Sequence, residues 1–517
     1  MFILVAKAIG AVIASYIFLQ ALLRLTQDSN EPPVMATAIP FISPILGMKK
    51  RNARYYNYLR DTYSQPIFTL RLPFTRLYIV TATSLIPSVQ RQSRVLSFNP
   101  IQIKAVTNFA SPSKEALDLI NLNIDNEKGF IHGFLKAVYP TLTGTMLDML
   151  NQRTVDVILA EFDKFAAKGC SPTIVDLYKW MDQQITYVTT DSIYGPHNPL
   201  RDPENFKAWH VFEAKTMTLV MGILPSIFAA DAIKARAFLS KKYQNYFAQD
   251  WHLEGSDYIK RRYAYLCERG LSADDVAKIE LTGVFPLIGN TIPTAFWLVY
   301  RIFSSPIVLE DCRREVLQAV SEQDGICTID ASYIKDHCPI LSSTYQEVLR
   351  FHGMGTSVRV ALEDHLLEGK YMIKKGGMVM ISGRVQHSDA KLWGDDFDKF
   401  CHKRFLKTPE GKKRHNPVAF RGFGGGSTLC PGRHFATTEI LLFATLLILR
   451  FDIRLADGLT EWPMPPTDQS SQAAAVDQPG HDIRIELLPK PSQKWRVIFS
   501  NKMRNKTEIV AEDIHTE

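Results

Sequence analysis

The chain has 517 residues, of which 46% are hydrophobic and 22% are charged, and its formal net charge is +7. This composition supports one large core or two fused cores and excludes a disordered chain. The positive charge is small and diffuse, so no nucleic-acid partner is expected. Seven irregularly spaced cysteines argue against a disulfide framework and indicate a reducing compartment.

Residues 1–26 are predicted to form a transmembrane anchor. The run from Phe2 to Leu23 is almost wholly apolar, and about 20 such residues can cross a bilayer core. A secretory signal peptide is the competing interpretation, although its apolar region usually spans only about 7–15 residues and no clear cleavage site follows here. More positive charge follows the segment than precedes it, which predicts a cytosolic location for the rest of the chain.

Residues 27–48 contain prolines at positions 32, 33, 40 and 44. Proline fixes φ and lacks an amide donor, so this stretch cannot continue the anchor helix. We expect a stiff, extended, proline-rich hinge between the anchor and the main body of the chain.

The main body of the chain is predicted to span residues 49–500 and to be mainly α-helical with small β-sheets. An alternating run from Ile67 to Val80 predicts a β-hairpin, and helical periodicity then dominates to about residue 350. Later strands are predicted over Leu366–Ile381, with a turn at residues 375–377, and over Asp482–Phe499. The charged tail, residues 501–517, is expected to be loose.

The most informative stretch runs from Phe420 to Glu439 and reads FRGFGGGSTLCPGRHFATTE. Its three consecutive glycines let the backbone approach a flat ligand closely. Pro431 suits the first turn of a helix, which places Cys430 just before a helix N-terminus, where amides and the helix dipole stabilise an iron-binding thiolate. A buried, inert cysteine is one alternative. A zinc site with His434 is another, but it lacks the usual paired-cysteine spacing.

The pattern of Phe423, Gly426, Cys430 and Gly432 resembles the haem-binding signature of the cytochrome P450 family, Phe-x-x-Gly-x-x-x-Cys-x-Gly. The resemblance covers roughly residues 35–500, over which the family's motifs occur in order. It implies the cytochrome P450 fold, preceded here by one N-terminal transmembrane helix. It also implies haem b (heme b, iron protoporphyrin IX), with Cys430 as the axial iron ligand and Gly424 and Thr428 among the cofactor-binding residues.

Glu347 and Arg350 are three residues apart, so they share one helix face. Alone, such a pair is common on solvated helices. Its position resembles the family's Glu-x-x-Arg helix, in which the pair is buried and joined by an arginine from a later loop. The resemblance implies that Arg404 is this third member and that the triad is a scaffold for the haem-side loop.

The resemblance also implies that Arg359 binds a haem propionate, because an arginine fork pairs well with a carboxylate. Thr428 stands where the family often has an arginine or histidine, and it supplies a hydrogen bond without a charge. Lys136 or His132, in the stretch FIHGFLKAV, could compensate. An ordinary solvated lysine and histidine are an equally good interpretation of these two residues.

The oxygen-side helix is predicted from about Asp274 to Phe303. The family usually has an acid followed by threonine at the kink of this helix, whereas Asn290 and Thr291 stand here and no carboxylate is present in FPLIGNTIPTAFW. Pro293 predicts a local distortion. The Asn-Thr-x-Pro motif in this stretch resembles that of the branch containing cholesterol 7α-hydroxylase, sterol 12α-hydroxylase and prostacyclin synthase. The resemblance implies a catalytic role for Asn290 and Thr291. The alternative is an asparagine that merely packs.

The resemblance implies a monooxygenase that oxidises a bulky apolar small molecule, such as a sterol, a terpenoid or another secondary metabolite. Dioxygen and NADPH would be consumed through a separate flavoprotein reductase, because no flavin or dinucleotide-binding motif is evident. The basic run between Lys403 and Arg414 could dock that reductase or be a solvated loop. The expected location is the endoplasmic reticulum membrane, in single-pass form. An isomerase or dehydratase of a peroxide-type substrate, and a haem protein that only carries or senses, are the competing functions.

Overall fold

The computed structural model describes residues 2–124, 126, 128–167, 171–469, 474–491, 493–500 and 510. The tail predicted over residues 501–517 therefore lies outside the described residues, apart from residue 510. Helices dominate the described part, and short strands are distributed along it, in agreement with the predicted fold class.

The first eleven helices lie before residue 222: α1 Phe2–Thr26, α2 Ser43–Arg51, α3 Arg54–Tyr63, α4 Ile86–Arg91, α5 Asn99–Ala110, α6 Lys114–Asn121, α7 Phe130–Val138, α8 Gly144–Ala166, α9 Leu177–Tyr194, α10 Pro203–Glu213 and α11 Thr216–Met221. The later helices are α12 Pro225–Phe228, α13 Ala230–Ala248, α14 Asp257–Glu268, α15 Ala273–Ile288, α16 Thr291–Phe303, α17 Pro306–Leu317, α18 Ala331–His337, α19 Pro339–Phe351, α20 Gly383–His387, α21 Ala390–Trp393 and α22 Arg433–Arg450.

The described strands are short, and each has six residues or fewer. They are β1 Ile67–Leu72, β2 Thr75–Val80, β3 Leu96–Ser97, β4 Thr173–Asp176, β5 Val320–Gln323, β6 Ile326–Asp330, β7 Thr356–Ala361, β8 His365–Leu367, β9 Tyr371–Ile373, β10 Met378–Ser382, β11 Phe451–Leu455, β12 Thr467–Asp468, β13 Gln478–Pro479, β14 Arg484–Pro489 and β15 Lys494–Ile498.

One compact unit comprises Met1–Ile101, Met354–Asp398 and Asn416–Leu429. It contains a five-stranded sheet with the strand order β1-β2-β10-β7-β3. Strands β1 and β2 pair antiparallel, with Ile67 opposite Val80, so the predicted hairpin is confirmed.

Both faces of that hairpin are buried. Because side chains alternate across a strand, Tyr78 and Val80 pack with Ile86 and Val89 of α4. Their neighbours in the strand, such as Ile79, pack with the aromatic face of α3 on the opposite side. The two clusters hold the sheet that carries Arg359 on β7.

The stretch Leu366–Ile381, predicted to form strands around a turn at residues 375–377, contains parts of three strands, β8, β9 and β10. Glu368 and Gly369 adopt left-handed conformations and form a turn between β8 and β9. Strand β10 follows the predicted turn and pairs with β2 and β7 instead of β9. Local alternation predicts strands correctly here, but it does not reveal their partners.

The second compact unit comprises Gln102–Gly353, Lys399–His415 and Cys430–Glu517, and it is mostly helical. Helix α16 is buried on every side except at Arg301, and most of α22 is buried as well. A helix that is apolar all round belongs in a protein core. Two three-stranded sheets, β11-β14-β4 and β15-β6-β5, complete this unit.

The single helix predicted from Asp274 to Phe303 is interrupted: α15 ends at Ile288 and α16 begins at Thr291. Pro293 has no amide proton to donate to the carbonyl of Gly289, four residues earlier, which favours a break at that point. The predicted distortion therefore takes the form of a helix break at Gly289 and Asn290. Pro286 lies within α15.

Two further findings concern the N-terminal region. Helix α1 has a mean hydropathy of 2.2 in its most apolar part, and none of that part is buried. The predicted hinge, residues 27–48, is not extended throughout, because α2 begins at Ser43 with Pro44 in its first turn. Proline is favoured at the first positions of a helix.

A second segment, Ala273–Phe303, meets the length and hydropathy criteria for a membrane span and comprises α15 and α16. Its most apolar part is 72% buried, so it belongs to the protein core.

Candidate active site

Cys430 precedes helix α22 in the second unit. The helix begins at Arg433 with Gly432 as its N-cap, so Pro431 lies before the first turn and not within it as predicted. The Arg433 guanidinium donates a 3.2 Å hydrogen bond from Nη1 to the carbonyl oxygen of Cys430. The predicted position of the cysteine, just before a helix N-terminus, is present.

The electrostatic surroundings of Cys430 differ from the expectation. Burial raises the pKa of the Cys430 thiol, and the amide of Gly432 and the charge of Arg433 oppose this rise without cancelling it. The helix N-terminus acts in the expected direction, because the Gly432 amide lowers the pKa of the thiol, but burial outweighs it. A coordinating cation deprotonates a thiol outright, so ligation would supply what the helix does not.

Glycine stands at different positions of the loop for different structural reasons. Gly424 and Gly426 adopt left-handed conformations, with φ of +77° and +57°. A Cβ at Gly424 would lie 2.8 Å from the carbonyl oxygen of Thr428, so the turn itself requires glycine there. A Cβ at Gly432 would meet no atom within 4 Å. The backbone next to Cys430 thus faces open space, which suits the close approach of a flat ligand. Phe423 is half-buried.

The structure brings Glu347, Arg350 and Arg404 together within the second unit. Nε of Arg350 donates to Oε2 of Glu347 at 2.7 Å, and Nε of Arg404 donates to Oε1 at 3.1 Å. The Cys401 amide adds a 3.0 Å hydrogen bond to Oε1. The Glu347 and Arg350 side chains are buried, and the Arg404 side chain is 9% exposed. One carboxylate therefore holds two cations and the loop that carries Arg404.

Arg359, on β7 of the first unit, is completely buried. Its Nη1 donates to the Ser357 hydroxyl at 3.1 Å and its Nη2 to the Ser427 hydroxyl at 3.3 Å. Burial, with a contribution from the positive charge of Arg421, lowers the pKa of Arg359 to about 10. Among the described residues Arg359 has no carboxylate partner, and its Nε has no hydrogen-bond partner. This is the environment that an external anion would stabilise.

The remaining predicted cofactor residues are less strongly supported by their positions. Thr428 donates to the carbonyl oxygen of Gly425, and its oxygen lies 2.9 Å from the Ser357 hydroxyl, so its one proton is already used. His132 and Lys136 are exposed on α7. Nothing in their surroundings favours a cofactor role over that of solvated side chains.

Asn290 and Thr291 lie at the helix break. Asn290 Oδ1 accepts a 2.7 Å hydrogen bond from the amide of Ala475, and the Thr291 hydroxyl donates to the carbonyl oxygen of Leu287 at 2.7 Å. The Thr291 proton is committed to the backbone, as is common for threonine in helices. The two amide protons of the Asn290 side chain have no partner among the described residues, which leaves them available as donors.

Several residues near the predicted site could not be identified from sequence patterns. Arg421 lies beside the glycine loop, and its place in the sequence FRGFGGG could have identified it as a residue near the site. Asp182, His210 and Glu213 form a titratable cluster on α9 and α10. No local motif marks these three residues, because their proximity depends on the packing of two helices.

The residues present fit haem. Cys430 is a soft sulfur donor, which suits iron, and Arg359 offers a buried guanidinium nitrogen that lacks a partner among the described residues. Zinc has no comparable support, because within the described ranges no group of three or more His, Cys, Asp or Glu side chains could hold a metal ion.

Comparison with known proteins agrees with these features. The family model of cytochrome P450 matches residues 265–479. A cytochrome P450 monooxygenase, nodJ, of Hypoxylon pulicicidum is 30% identical over 487 residues, which cover 91% of this chain and 93% of the relative. The chain therefore belongs to the cytochrome P450 family, and it is an oxidoreductase of the monooxygenase type. Haem and dioxygen are the cofactor and co-substrate that this family implies.

Two further comparisons concern the branch and the fold. Cholesterol 7-alpha-monooxygenase of Cricetulus griseus is 29% identical over 309 residues, which cover 55% of this chain and 59% of the relative. The resemblance to that branch is thus confirmed. The solved structure of retinoic acid-bound cyanobacterial CYP120A1 matches with a TM-score of 0.68 at 20% identity, and the match covers 89% of this chain and 99% of that one. This likeness confirms the cytochrome P450 fold.

Proposed function

We propose that this monooxygenase oxidises a bulky apolar small molecule, such as a sterol, a terpenoid or another secondary metabolite, with electrons from a separate NADPH-dependent flavoprotein reductase. The observation that carries the proposal is Cys430, placed before α22 beside a backbone that faces open space. Similarity to a cholesterol 7-alpha-monooxygenase supports the substrate class.

In this proposal Cys430 holds the haem iron, and Arg359 binds a haem propionate. Haem, when bound, supplies the activation of dioxygen and the insertion of one oxygen atom into a C–H bond. The chain's own residues bind the haem, orient the reactants and supply protons. Gly424 and Gly426 shape the loop, and the amide protons of Asn290 orient polar reactants at the helix break.

Helix α1 serves as a single-pass membrane anchor in this proposal. Its 25 residues would extend about 37 Å, enough to cross the hydrocarbon core of a bilayer. The basic side chains of Lys49, Lys50 and Arg51 follow it and are exposed. Positive charge on that side favours a cytosolic catalytic unit, and the endoplasmic reticulum is the membrane in which we place it.

The proposed reductase surface is smaller than the basic run suggested. Lys403 Nζ lies 2.6 Å from Asp311 Oδ2, and Arg404 is bound to Glu347. Both charges are therefore balanced within the protein. The exposed cations Lys412 and Arg414 of the run are the ones that we propose to attract an acidic flavoprotein.

The proposal is tested with the Cys430→Ser variant and the Cys267→Ser variant as a matched control, since Cys267 is exposed. A hydroxyl is a poor substitute for a thiolate ligand, so Cys430→Ser should lose the thiolate-type band of the reduced carbon monoxide spectrum completely. Cys267→Ser should keep it. A retained band in Cys430→Ser would overturn the assignment of the ligand.

The same preparations separate the competing reactions. Turnover of a sterol and terpenoid panel by the wild type should require NADPH, reductase and dioxygen together. Rearrangement of an organic peroxide with none of these three present would instead establish an isomerase or dehydratase. Haem binding without turnover of either kind of substrate would indicate a carrier or sensor.

A further inference from the structure

Three titratable side chains lie together on α9 and α10. His210 Nε2 is 3.2 Å from Asp182 Oδ2, and His210 Nδ1 is 3.8 Å from Glu213 Oε2. His210 and Glu213 are three residues apart, on one face of α10. The imidazole therefore lies between two carboxyl groups. Neither contact is a direct hydrogen bond, because Nε2 has no hydrogen-bond partner among the described residues and 3.8 Å is too long for one, so proton transfer between these groups requires a bridging water molecule or a small rotation of the side chains.

Glu213 also reaches the helix break. A Cβ built at Gly289 would lie 3.2 Å from Glu213 Oε1. Gly289 directly precedes Asn290, and the segment FPLIGNTIPTAFW that contains both has no acidic residue. A carboxyl group is thus present at the break, but it is contributed by α10.

The cluster combines burial with access to solvent. The exposed fractions of the side chains are 34% for His210, 18% for Asp182 and 17% for Glu213. Histidine is thus the most accessible member, and Glu213 is the member next to Gly289. This order suits the passage of protons from solvent toward the break.

The pKa values of the cluster also suit proton exchange at neutral pH. Burial, with a contribution from Glu213, raises the pKa of Asp182 to about 7. Burial raises the pKa of Glu213 to about 7, and the Trp209 indole acts in the opposite direction. Burial lowers the pKa of His210. Near neutral pH the carboxyls therefore retain protons that they would lose in water, and the imidazole is neutral.

Few other charged or titratable groups face the cluster. The Thr186 hydroxyl lies 3.5 Å from Asp182 Oδ1. The Tyr178 phenol has a pKa raised well above its usual value by burial and by the acids around it, so it stays protonated. Asp468 and Asp482 act on Tyr178 from the C-terminal part of the unit. In the described part of the chain, His210 is the one basic side chain within 4 Å of either carboxyl.

We propose that Asp182, His210 and Glu213 form a proton relay that serves the helix break at Gly289 and Asn290. The inference rests on the proposed function, because a monooxygenase consumes two protons and two electrons when it reduces one oxygen atom of dioxygen to water. The relay supplies the protons, and the reductase supplies the electrons. Glu213 acts from α10 where the broken helix itself has no acid.

Each transfer balances in protons and moves no electrons. The O–H bond of Glu213 breaks, its proton passes to a water molecule at the break, and Glu213 becomes a carboxylate. A bridging water molecule then carries the Nδ1 proton of His210 to Glu213, and a second one carries the Asp182 proton to Nε2 of His210. Asp182 regains a proton from solvent, and proton exchange of the partly exposed imidazole with solvent returns its proton from Nε2 to Nδ1, which restores the starting state.

The test uses the full-length holoenzyme with reductase, NADPH and dioxygen, and compares Glu213→Gln with Glu204→Gln. Glu204 is exposed on the same helix, so it is a matched control. In Glu213→Gln we expect NADPH oxidation to slow roughly tenfold or more and the fraction of electrons released as hydrogen peroxide to rise several-fold. Neither readout requires an identified substrate. Glu213→Asp, which keeps a carboxyl, should recover part of the coupling.

A second readout does not depend on turnover. Infrared titration of the full-length protein should show protonated carboxyl groups that ionise near pH 7, and Glu213→Gln should lose part of this signal while Glu204→Gln keeps it. His210→Gln provides an independent interruption of the relay if Glu213→Gln does not fold. Wild-type coupling and an unchanged infrared titration in Glu213→Gln would overturn the relay. Absence of any reductase-dependent oxidation in the wild type would instead overturn the proposed function.

Discussion

Two buried arginine sites balance their charge in different ways. In the second unit, the fully buried Glu347 accepts hydrogen bonds from Arg350 and Arg404. In the first unit, the fully buried Arg359 bonds to the hydroxyls of Ser357 and Ser427, and no carboxylate within the described ranges pairs with it. Burial of an unpaired charge costs several kcal/mol. The chain itself neutralises the charges around Glu347, and the environment of Arg359 agrees with the proposal that this arginine binds an anionic ligand.

The strongest test of this comparison is Glu347→Gln. The substitution keeps the shape of the side chain but removes the buried carboxylate that Arg350 and Arg404 share. We expect the free energy of unfolding to fall by about 3–5 kcal/mol, as measured by urea denaturation followed by circular dichroism.

Glu310→Gln is the matched control for this measurement. Glu310 and Arg314 form a pair on the surface of α17, with side chains 63% and 65% exposed. Loss of an exposed pair should change the free energy of unfolding by less than about 1 kcal/mol. Equal losses in the two variants would remove the distinction between a structural and an ordinary ion pair.

The second test is Arg359→Met, which removes the buried cation and retains an unbranched side chain. We expect haem to be held more weakly, by about 1.5–3 kcal/mol, because a hydrogen bond to a charged group has this strength. The rate of haem transfer to apomyoglobin measures the effect. The free energy of unfolding of the haem-free protein should not fall, since an unpaired buried charge is removed.

Arg91→Met is the corresponding control in the same unit, because the Arg91 side chain is 69% exposed. Its rate of haem transfer should match that of the wild type. A large loss of stability in haem-free Arg359→Met, with unchanged haem transfer, would show that Arg359 is structural after all.

The smallest expected effect concerns Glu439, a buried acid without a cation. Its Oε1 accepts a 2.6 Å hydrogen bond from Thr189, and no described residue bonds to its Oε2. Burial raises the pKa of Glu439 from 4.5 to about 8, and the Thr189 hydrogen bond opposes this rise. The folded state therefore binds more protons than the unfolded state between these pH values, so stability falls as the pH rises through this window.

In Glu439→Gln this contribution disappears. Between pH 6 and pH 7 the free energy of unfolding of the wild type should fall by about 1 kcal/mol more than that of the variant. Urea denaturation at the two pH values measures the difference, with Glu310→Gln as the control. Parallel pH profiles for the wild type and Glu439→Gln would show that Glu439 is already ionised at pH 6.

Features encoded by local spacing could be predicted from the sequence. The alternation over Ile67–Val80 identified a hairpin, and the spacing of Glu347 and Arg350 identified a shared helix face. The loop around Cys430 carries its motif within ten residues, so Cys430 could be identified as the candidate ligand from the sequence as well. Each of these depends on contacts between residues that are close in the chain or on a recognisable motif.

Features that depend on distant residues could not be predicted. The approach of Glu213 to Gly289 requires the packing of α10 near the helix break. The pKa of Cys430 is set by burial, which outweighs the helix N-terminus. The pairing of β10 with β2 and β7 depends on the sheet as a whole. In each case a local pattern names the residues but not their partners.

The hydrogen bond between Asn290 and Ala475 has a consequence for the order of events during protein synthesis. Residues 290 and 475 are 185 positions apart, and the same late segment supplies the carbonyl of Asp477 to the Trp297 indole and its carboxylate to His352. A ribosome releases α16 long before it reaches residue 475. The helix break is thus completed only after residue 475 has been translated, and a nascent chain that stops earlier leaves these polar groups without their partners.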